Sequence, residues 1–172
     1  MTSGGRMQDA GPTDAVGFEA HDHAQCMDSA IAAADAICAE DGLRFTPVRR
    51  RTLEILLQEH RALGAYDVLD RLRAEGFGSQ PPVAYRALDF LVANGLAHKI
   101  ERLNAFIACA HPGAEHSPAF LICRICDSVA EAQSAPVGRV LKDAAKSAGF
   151  QVERTVVEAE GVCPACAEKA EA

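Results

Sequence analysis

Four of the seven cysteines stand in two Cys-x-x-Cys pairs, Cys123–Cys126 and Cys163–Cys166, with 36 residues between the pairs. No other feature restricts the fold of this chain so tightly. Four thiolates can close a tetrahedron around zinc, and a site closed on every side is structural rather than catalytic. The first pair, Cys-Arg-Ile-Cys, follows the apolar run Ala119–Ile122. The second, Cys-Pro-Ala-Cys, follows the strand-like Arg154–Glu160 and a turn at Gly161. Each has the look of a knuckle. The competing reading is a redox dithiol, but that needs one pair beside a βαβ pattern, and no such pattern surrounds either.

The totals set outer limits. A chain of 172 residues holds one large domain or two small ones, and with 49% apolar residues it builds a core without disulfide staples. Met1–Asp28 lacks the basic start and apolar stretch of a secretory leader. Seven cysteines in that setting point to a reducing compartment, so the expected location is the cytoplasm. Without a run of about 18 apolar residues, no membrane partner is expected.

The net charge of −7 argues against nucleic acid only until its distribution is read. Residues 1–43 carry one arginine against eight acids, a net of −7. Residues 44–103 carry ten basic side chains against seven acids, a net of +3, and residues 104–172 return to −3. A basic segment inside an acidic protein is the footprint that matters for DNA. An ordinary solvated helical surface is the plainer account of the same charges.

Along the chain, residues 1–28 predict a flexible tail, in which His21, His23 and Cys26 cluster without a scaffold. Ser29–Glu40 has helical spacing with Cys38 inward, and Gly42 ends it. Thr46-Pro47 predicts a helix start, with a hydroxyl cap and proline at the first position. Val48, Leu53, Leu56 and Leu57 form the buried face of that helix, and Arg49, Arg50 and Arg51 crowd its first turn. A helix over about Ala65–Glu75 and another from Pro81-Pro82 to Asn94-Gly95 follow. Two short strands, Leu96–Glu101 and Ala105–Cys109, come next. Short helices before a β-hairpin predict a winged helix-turn-helix over residues 29–110, with the helix before the hairpin as reader of the major groove. Residues 111–117 predict a hinge linker. Residues 118–172 predict a small α/β domain: strands Ala119–Ile122, Ser128–Ala132 and Phe150–Glu160, a helix Pro136–Ala148, and a terminal turn Cys163–Ala170. That helix gathers Val137, Val140, Leu141 and Ala144 on one face. A unit this small is marginal alone, and pairing with its own copy buries the remainder. The fold class expected is therefore α+β, a winged-helix domain followed by an α/β dimerisation domain carrying a Zn(Cys)4 site.

The order of Pro-Pro-Val-Ala-Tyr-Arg-Ala-Leu-Asp-Phe-Leu (81–91), His-Lys-Ile-Glu (98–101) and two Cys-x-x-Cys knuckles resembles the ferric uptake regulator family of metal-sensing repressors, most of all its zinc uptake branch. The likeness spans about residues 29–170. One departure is Val83-Ala84-Tyr85 where the family usually has Thr-Val-Tyr, which removes a hydroxyl beside the recognition helix. The resemblance implies a zinc-responsive repressor of zinc uptake and homeostasis genes. It implies a protein that is not an enzyme, that binds operator DNA as a homodimer and that takes no small organic substrate. It implies two Zn(2+) per subunit. The structural site matches Cys123, Cys126, Cys163 and Cys166. The regulatory site matches His98, Cys109, His116 and Glu131. One thiolate, two imidazoles and a carboxylate make a donor set of borderline softness that suits zinc. Cys109 tilts the choice away from iron or manganese.

Each regulatory residue also has a plainer reading: His98 as a hairpin-edge polar residue, Cys109 as a small buried hydrophobe, His116 as a linker histidine with His111 as rival ligand, Glu131 as a surface acid. Tyr85 and Arg86 fall in the recognition helix, Arg86 donating to guanine or to phosphate, with a salt bridge to Asp89 or to an acid on the preceding helix as the alternative. Tyr66 resembles a base-contacting tyrosine, against packing between helices. Arg49, with Arg50 and Arg51, is placed to reach phosphate. Alternatives at the level of function are an iron, manganese or peroxide sensor of the same family, a zinc-stabilised adaptor that binds no DNA, and, with least support, an enzyme with a catalytic zinc.

Overall fold

The computed structural model describes residues 23–59, 61–114 and 118–171. Within them the elements run α1 (His23–Glu40), α2 (Pro47–Leu57), α3 (Ala65–Ala74), α4 (Pro81–Ala93), β1 (Ala97–Ile100), β2 (Ala105–Ala108), β3 (Pro118–Cys123), β4 (Val129–Gln133), α5 (Ala135–Ser147), β5 (Val157–Gly161) and α6 (Pro164–Glu171). The class is α+β, and no helix among the described residues is long and apolar enough to cross a membrane.

α1 begins six residues earlier than its apolar spacing suggests, inside the segment expected as tail. Its body is alanine-rich (Ala30, Ala32, Ala33, Ala34), and alanine loses least on entering a helix, so the turns extend backward beyond the periodic stretch. It stops at Gly42, whose φ of +65° is cheap only for glycine. The Leu43 N–H then donates to the Cys38 carbonyl at 2.7 Å, the closure expected after such a residue.

α2 starts where Thr46-Pro47 predicts, but the expected hydroxyl cap is corrected. Thr46 occupies the N-cap with extended backbone, and its side chain makes no capping hydrogen bond. Proline at the first helical position has no N–H to satisfy and presets the helical φ. The Thr46 carbonyl accepts from the Arg50 N–H at 3.0 Å, so the turn forms without the hydroxyl.

α2, α3 and α4 pack around Leu53, Ile55, Leu56, Val68, Leu69, Leu72, Leu88 and Leu91, with Ala34 and Cys38 of α1 against them. Cys38 is a buried apolar filler, and burial pushes its thiol pKa up. β1 and β2 pair antiparallel with His98 opposite Ile107. Leu63, between α2 and α3, exchanges two 2.8 Å backbone bonds with Phe106 and adds a third short strand to the hairpin. Three helices with this hairpin make the winged helix.

The second sheet has the order β4-β3-β5. β3 and β4 are an antiparallel pair, while β3 and β5 run parallel. Parallel neighbours need a long crossover, and β4 with α5 supplies it. The strand expected over Phe150–Glu160 is shorter, Val157–Gly161, and its pairing with β3 begins at Val157 opposite Ala119.

The two halves share more than a connection. Ile100 and Ile107 of the hairpin are buried with Phe120, Ile122 and Val129 of the second sheet. An isolated bridge also joins Arg61 to Ser128. Of the expected hinge, residues 115–117 lie outside the described residues. The expected tail before residue 23, with His21, lies outside them as well, as do the side chains of His23 and Cys26.

Candidate metal centres and nucleic-acid face

The parallel register places Cys123 opposite Gly161, so the knuckle after β3 and the knuckle after β5 emerge at the same end of adjacent strands. The Arg124 N–H donates to the Gly161 carbonyl at 2.9 Å and ties the two turns together. One sulfur of each of Cys123, Cys126, Cys163 and Cys166 lies within 4.8 Å of the others. The Cys126 and Cys163 sulfurs are 3.7 Å apart. Tetrahedral zinc with Zn–S bonds of about 2.3 Å separates its sulfurs by about 3.8 Å, so donor set and spacing both fit zinc.

The electrostatics of the cluster match its chemistry. N–H groups of Cys163, Cys126 and Ile125 hold the Cys123 thiol at a pKa of about 6, against an ordinary 9.0. The Cys163 N–H lies 3.4 Å from the Cys123 sulfur. Cys126 is also lowered, first by the Ser128 hydroxyl 3.1 Å from its sulfur and then by the Ser128 N–H. Cys166 is pushed up to about 12 by the neighbouring sulfurs of Cys163 and Cys126. Four thiols this close cannot all ionise unless a cation joins them.

A second cluster bridges the two halves. His98 on β1, Cys109 just past β2 and Glu131 on β4 bring one donor atom each within 4.8 Å of one another. Cys109 is 3% exposed, Glu131 4% and the His98 side chain 17%. His98 Nε2 stands 3.7 Å from Glu131 Oε2, and the Ala110 N–H donates to that same oxygen at 2.9 Å. Burial and the nearby Glu131 charge push the Cys109 thiol up to about 12. His116, expected as the fourth donor, lies outside the described residues. Its rival His111 stands with Nδ1 3.8 Å from Glu131 Oε1 and has a 39% exposed side chain. The plainer reading of Glu131 as a surface acid fails, because the carboxyl is buried.

On the winged helix, Tyr85 and Arg86 are exposed in the first half of α4, and Tyr66 is 63% exposed in the first turn of α3. Tyr66 is therefore not packed between helices. No ion pair engages Arg86 among the described residues, so the weighed salt bridge to Asp89 does not form. Arg49 lays its guanidinium 3.7 Å over the Phe90 ring of α4 and donates to the Arg44 carbonyl. Its two neighbours are engaged within the chain. Arg50 pairs with Asp35 of α1. Arg51 donates to Glu75 at 2.7 Å and to Glu54 at 2.8 Å. Arg50 and Arg51 are thus paired with acids of α1, α2 and the end of α3, whereas Arg49 makes no ion pair among the described residues.

Some features were not legible beforehand. Ser128 beside the Cys126 sulfur follows a knuckle that gives no hint of it. The apolar cluster of Ile100, Ile107, Phe120, Ile122 and Val129 draws on segments that read as separate domains.

Comparison with known proteins bears on the whole arrangement. A zinc uptake regulation protein of Escherichia coli (strain K12) is 37% identical over 139 residues, covering 80% of this chain and 81% of that protein. A protein of the same description from Shigella flexneri matches with the same identity and coverage. A solved zinc uptake regulator complexed with zinc and DNA superposes with a TM-score of 0.81 at 35% identity, covering 85% of this chain and 98% of that one. Holo XcZur superposes with a TM-score of 0.75 at 42% identity over 82% of this chain and 99% of that one. The sequence pattern of the ferric uptake regulator family matches residues 40–160, which takes in the recognition helix, the hairpin and the first knuckle. With a winged helix, a thiol-rich sheet and this much shared sequence, the chain belongs to the ferric uptake regulator family.

Proposed function

We propose that this chain is a zinc-responsive, DNA-binding transcriptional repressor of zinc uptake and homeostasis genes, acting as a homodimer with zinc as corepressor. The observation that carries the reading is the cluster of His98, Cys109 and Glu131, which draws donors from both halves of the molecule. Residues 29–110 serve as the DNA-binding unit and residues 118–172 as the dimerisation unit.

The two donor sets support a reading of two zinc ions per subunit. Cys123, Cys126, Cys163 and Cys166 hold the structural one. His98, Cys109 and Glu131 hold the regulatory one together with His116. When bound there, zinc supplies a cross-link between hairpin and second sheet. The thiolate beside imidazole and carboxylate is what favours zinc over iron or manganese. Ala110 orients Glu131 through its N–H, and Phe120, its ring centroid 5.4 Å from that of His98, packs beside the imidazole. A ligand shifts an equilibrium only by its differential affinity for the two arrangements, and donors divided between two halves provide that difference.

Dimerisation rests on what a single chain leaves uncovered. Val140 is 71% exposed and Phe150 67%, with Val137 and Leu141 beside them, although α5 is plainly amphipathic. Among the described residues β5 is an edge strand with one side unpaired in the sheet. A second copy supplies the missing surface and sets two α4 helices toward half-sites about 34 Å apart. Tyr66, Tyr85 and Arg86 face the DNA, with Arg49 on the adjoining phosphates.

The test is elemental analysis and operator titration of the wild type beside Cys109→Ala. The variant is expected to lose about one zinc per chain and its operator binding while remaining a dimer. Retention of both zinc and DNA binding overturns the proposal.

A further inference from the structure

The turn of the hairpin is gripped by the opposite sheet. Glu158 on β5 accepts two successive backbone N–H groups, that of Glu101 at 2.7 Å on Oε1 and that of Arg102 at 2.9 Å on Oε2. Two ion pairs flank this clasp. Arg102 pairs with Glu160, and Arg154 donates to the Glu101 carboxylate at 2.7 Å. Beneath it, Ile100 and Leu103 pack into the apolar cluster with Phe120 and Ile122. A carboxylate that accepts two backbone N–H groups makes charge-assisted bonds, stronger than neutral ones.

The other end of the same hairpin carries the sensing donors. His98 precedes the gripped turn by three residues, and the Cys109 N–H donates to the Leu96 carbonyl at 3.0 Å across the hairpin's open end. The second unit therefore holds this short ladder twice, with β5 at the turn and Glu131 of β4 at the open end. Only the second grip involves metal donors. An arginine at an exposed hairpin turn suits a phosphate contact, but Arg102 is committed to Glu160.

We propose that Glu158 is a positioning residue for the sensing site: its clasp on the wing turn holds the hairpin against the second sheet without metal, so that His98 and Cys109 are presented to Glu131. The wing is then a strut between the two units and not a contact to DNA. The inference rests on the regulatory-site reading. A ligand that needs one arrangement binds with an apparent affinity reduced by the fraction of molecules lacking it. Removing the clasp lowers that fraction, and zinc binding weakens although Glu158 is no donor.

The experiment uses the full-length dimer and its Glu158→Ala, Glu158→Gln, Arg102→Ala and Cys109→Ala variants. Zinc is titrated against a fluorescent chelator, and operator affinity is followed by anisotropy over a range of salt. Glu158→Ala is expected to weaken the sensing zinc by about 5–150-fold, the usual span of coupling between sites, while the tetrathiolate zinc stays bound. Glu158→Gln keeps one acceptor oxygen and falls between, and it carries the test if the alanine variant does not fold. Excess zinc restores operator binding in both, which a merely misfolded protein does not show. Arg102→Ala leaves the salt slope of operator binding unchanged. Unaltered zinc affinity in both Glu158 variants overturns the proposal, and so does a slope reduced by about one in Arg102→Ala, the sign of a lost phosphate contact. Retention of the sensing zinc by Cys109→Ala sinks the regulatory-site reading itself, a result separate from either.

Discussion

Cys123 and Gly161 stand opposite each other in the parallel pairing of β3 with β5, and each closes its strand just before or at a thiol knuckle. The pairing brings residues some forty positions apart to the same edge. An ion held there staples the ends of two strands and the start of α6.

The first prediction concerns that staple. Apparent binding energies of structural zinc in small folded units run to about 10–16 kcal/mol at neutral pH. Cys163→Ser is expected to lose about one zinc per chain and the order of residues 118–171, leaving the winged helix folded. Metal analysis with amide exchange on the two halves checks it. Protection surviving throughout β3 and β5 would count against a structural role.

A pH dependence follows from Cys109. Its thiol lies at about 12 against an ordinary 9.0, first through burial and then through Glu131. A raised folded-state pKa gives a contribution fully present below the unfolded value and lost as pH rises toward the folded one. The chelated protein is therefore expected to lose stability between about pH 9 and 12 through this group. Zinc binding must expel the Cys109 proton, so affinity for the sensing ion is expected to rise about tenfold per unit between pH 7 and 9. The tetrathiolate site should depend less steeply on the Cys123 proton, since that thiol already titrates at about 6. Chelator competition at several pH values measures both slopes.

Arg86 is exposed on α4 and makes no ion pair among the described residues, so its removal leaves no buried charge behind. Arg86→Ala is expected to weaken operator binding by about 1–3 kcal/mol if it reads guanine, with relaxed preference at one base pair. Zinc content and melting temperature should not move. Anisotropy titrations against operator and single-base variants separate this from a phosphate contact, which weakens all sequences equally.

The uncovered face of α5 gives a fourth expectation. Val140→Glu places like charges in the interface of two copies and adds nothing unfavourable to a lone chain, where the residue is already exposed. Sedimentation should show dimers giving way to monomers at micromolar concentration, with helix content retained. An unchanged dimer would move the interface elsewhere.

Much of this was legible from local chemistry. Pro47 and Pro81 begin α2 and α4, and Gly42 and Gly95 follow the ends of α1 and α4, because fixed φ and positive φ are properties of single residues. The Cys-x-x-Cys spacing announces its metal for a similar reason, since two thiols within one turn are already half a site. Cys109 and Glu131 were harder. A cysteine after a strand and an acid within one have ordinary explanations, and only the closure of the hairpin on β4 brings their side chains together with that of His98. The start of α1 was misplaced because alanine-rich helix carries no apolar period. The ion pairs of Arg50 and Arg51 were not legible because their partners Asp35 and Glu75 lie far away along the chain.

What this sequence determined alone is therefore what depends on neighbours along the chain: helix starts and stops, the two knuckles, the order of a winged helix before a small α/β unit. Tertiary structure decided everything that depends on residues distant in sequence. The parallel register joined the knuckles, the hairpin's packing on the second sheet assembled the His98–Cys109–Glu131 cluster, and the fold of β5 delivered Glu158 to the wing turn. Hydrogen bonds and donor sets reach only a few ångströms. Which distant atoms come within that reach is set by how whole elements pack, and no short stretch of sequence contains that information.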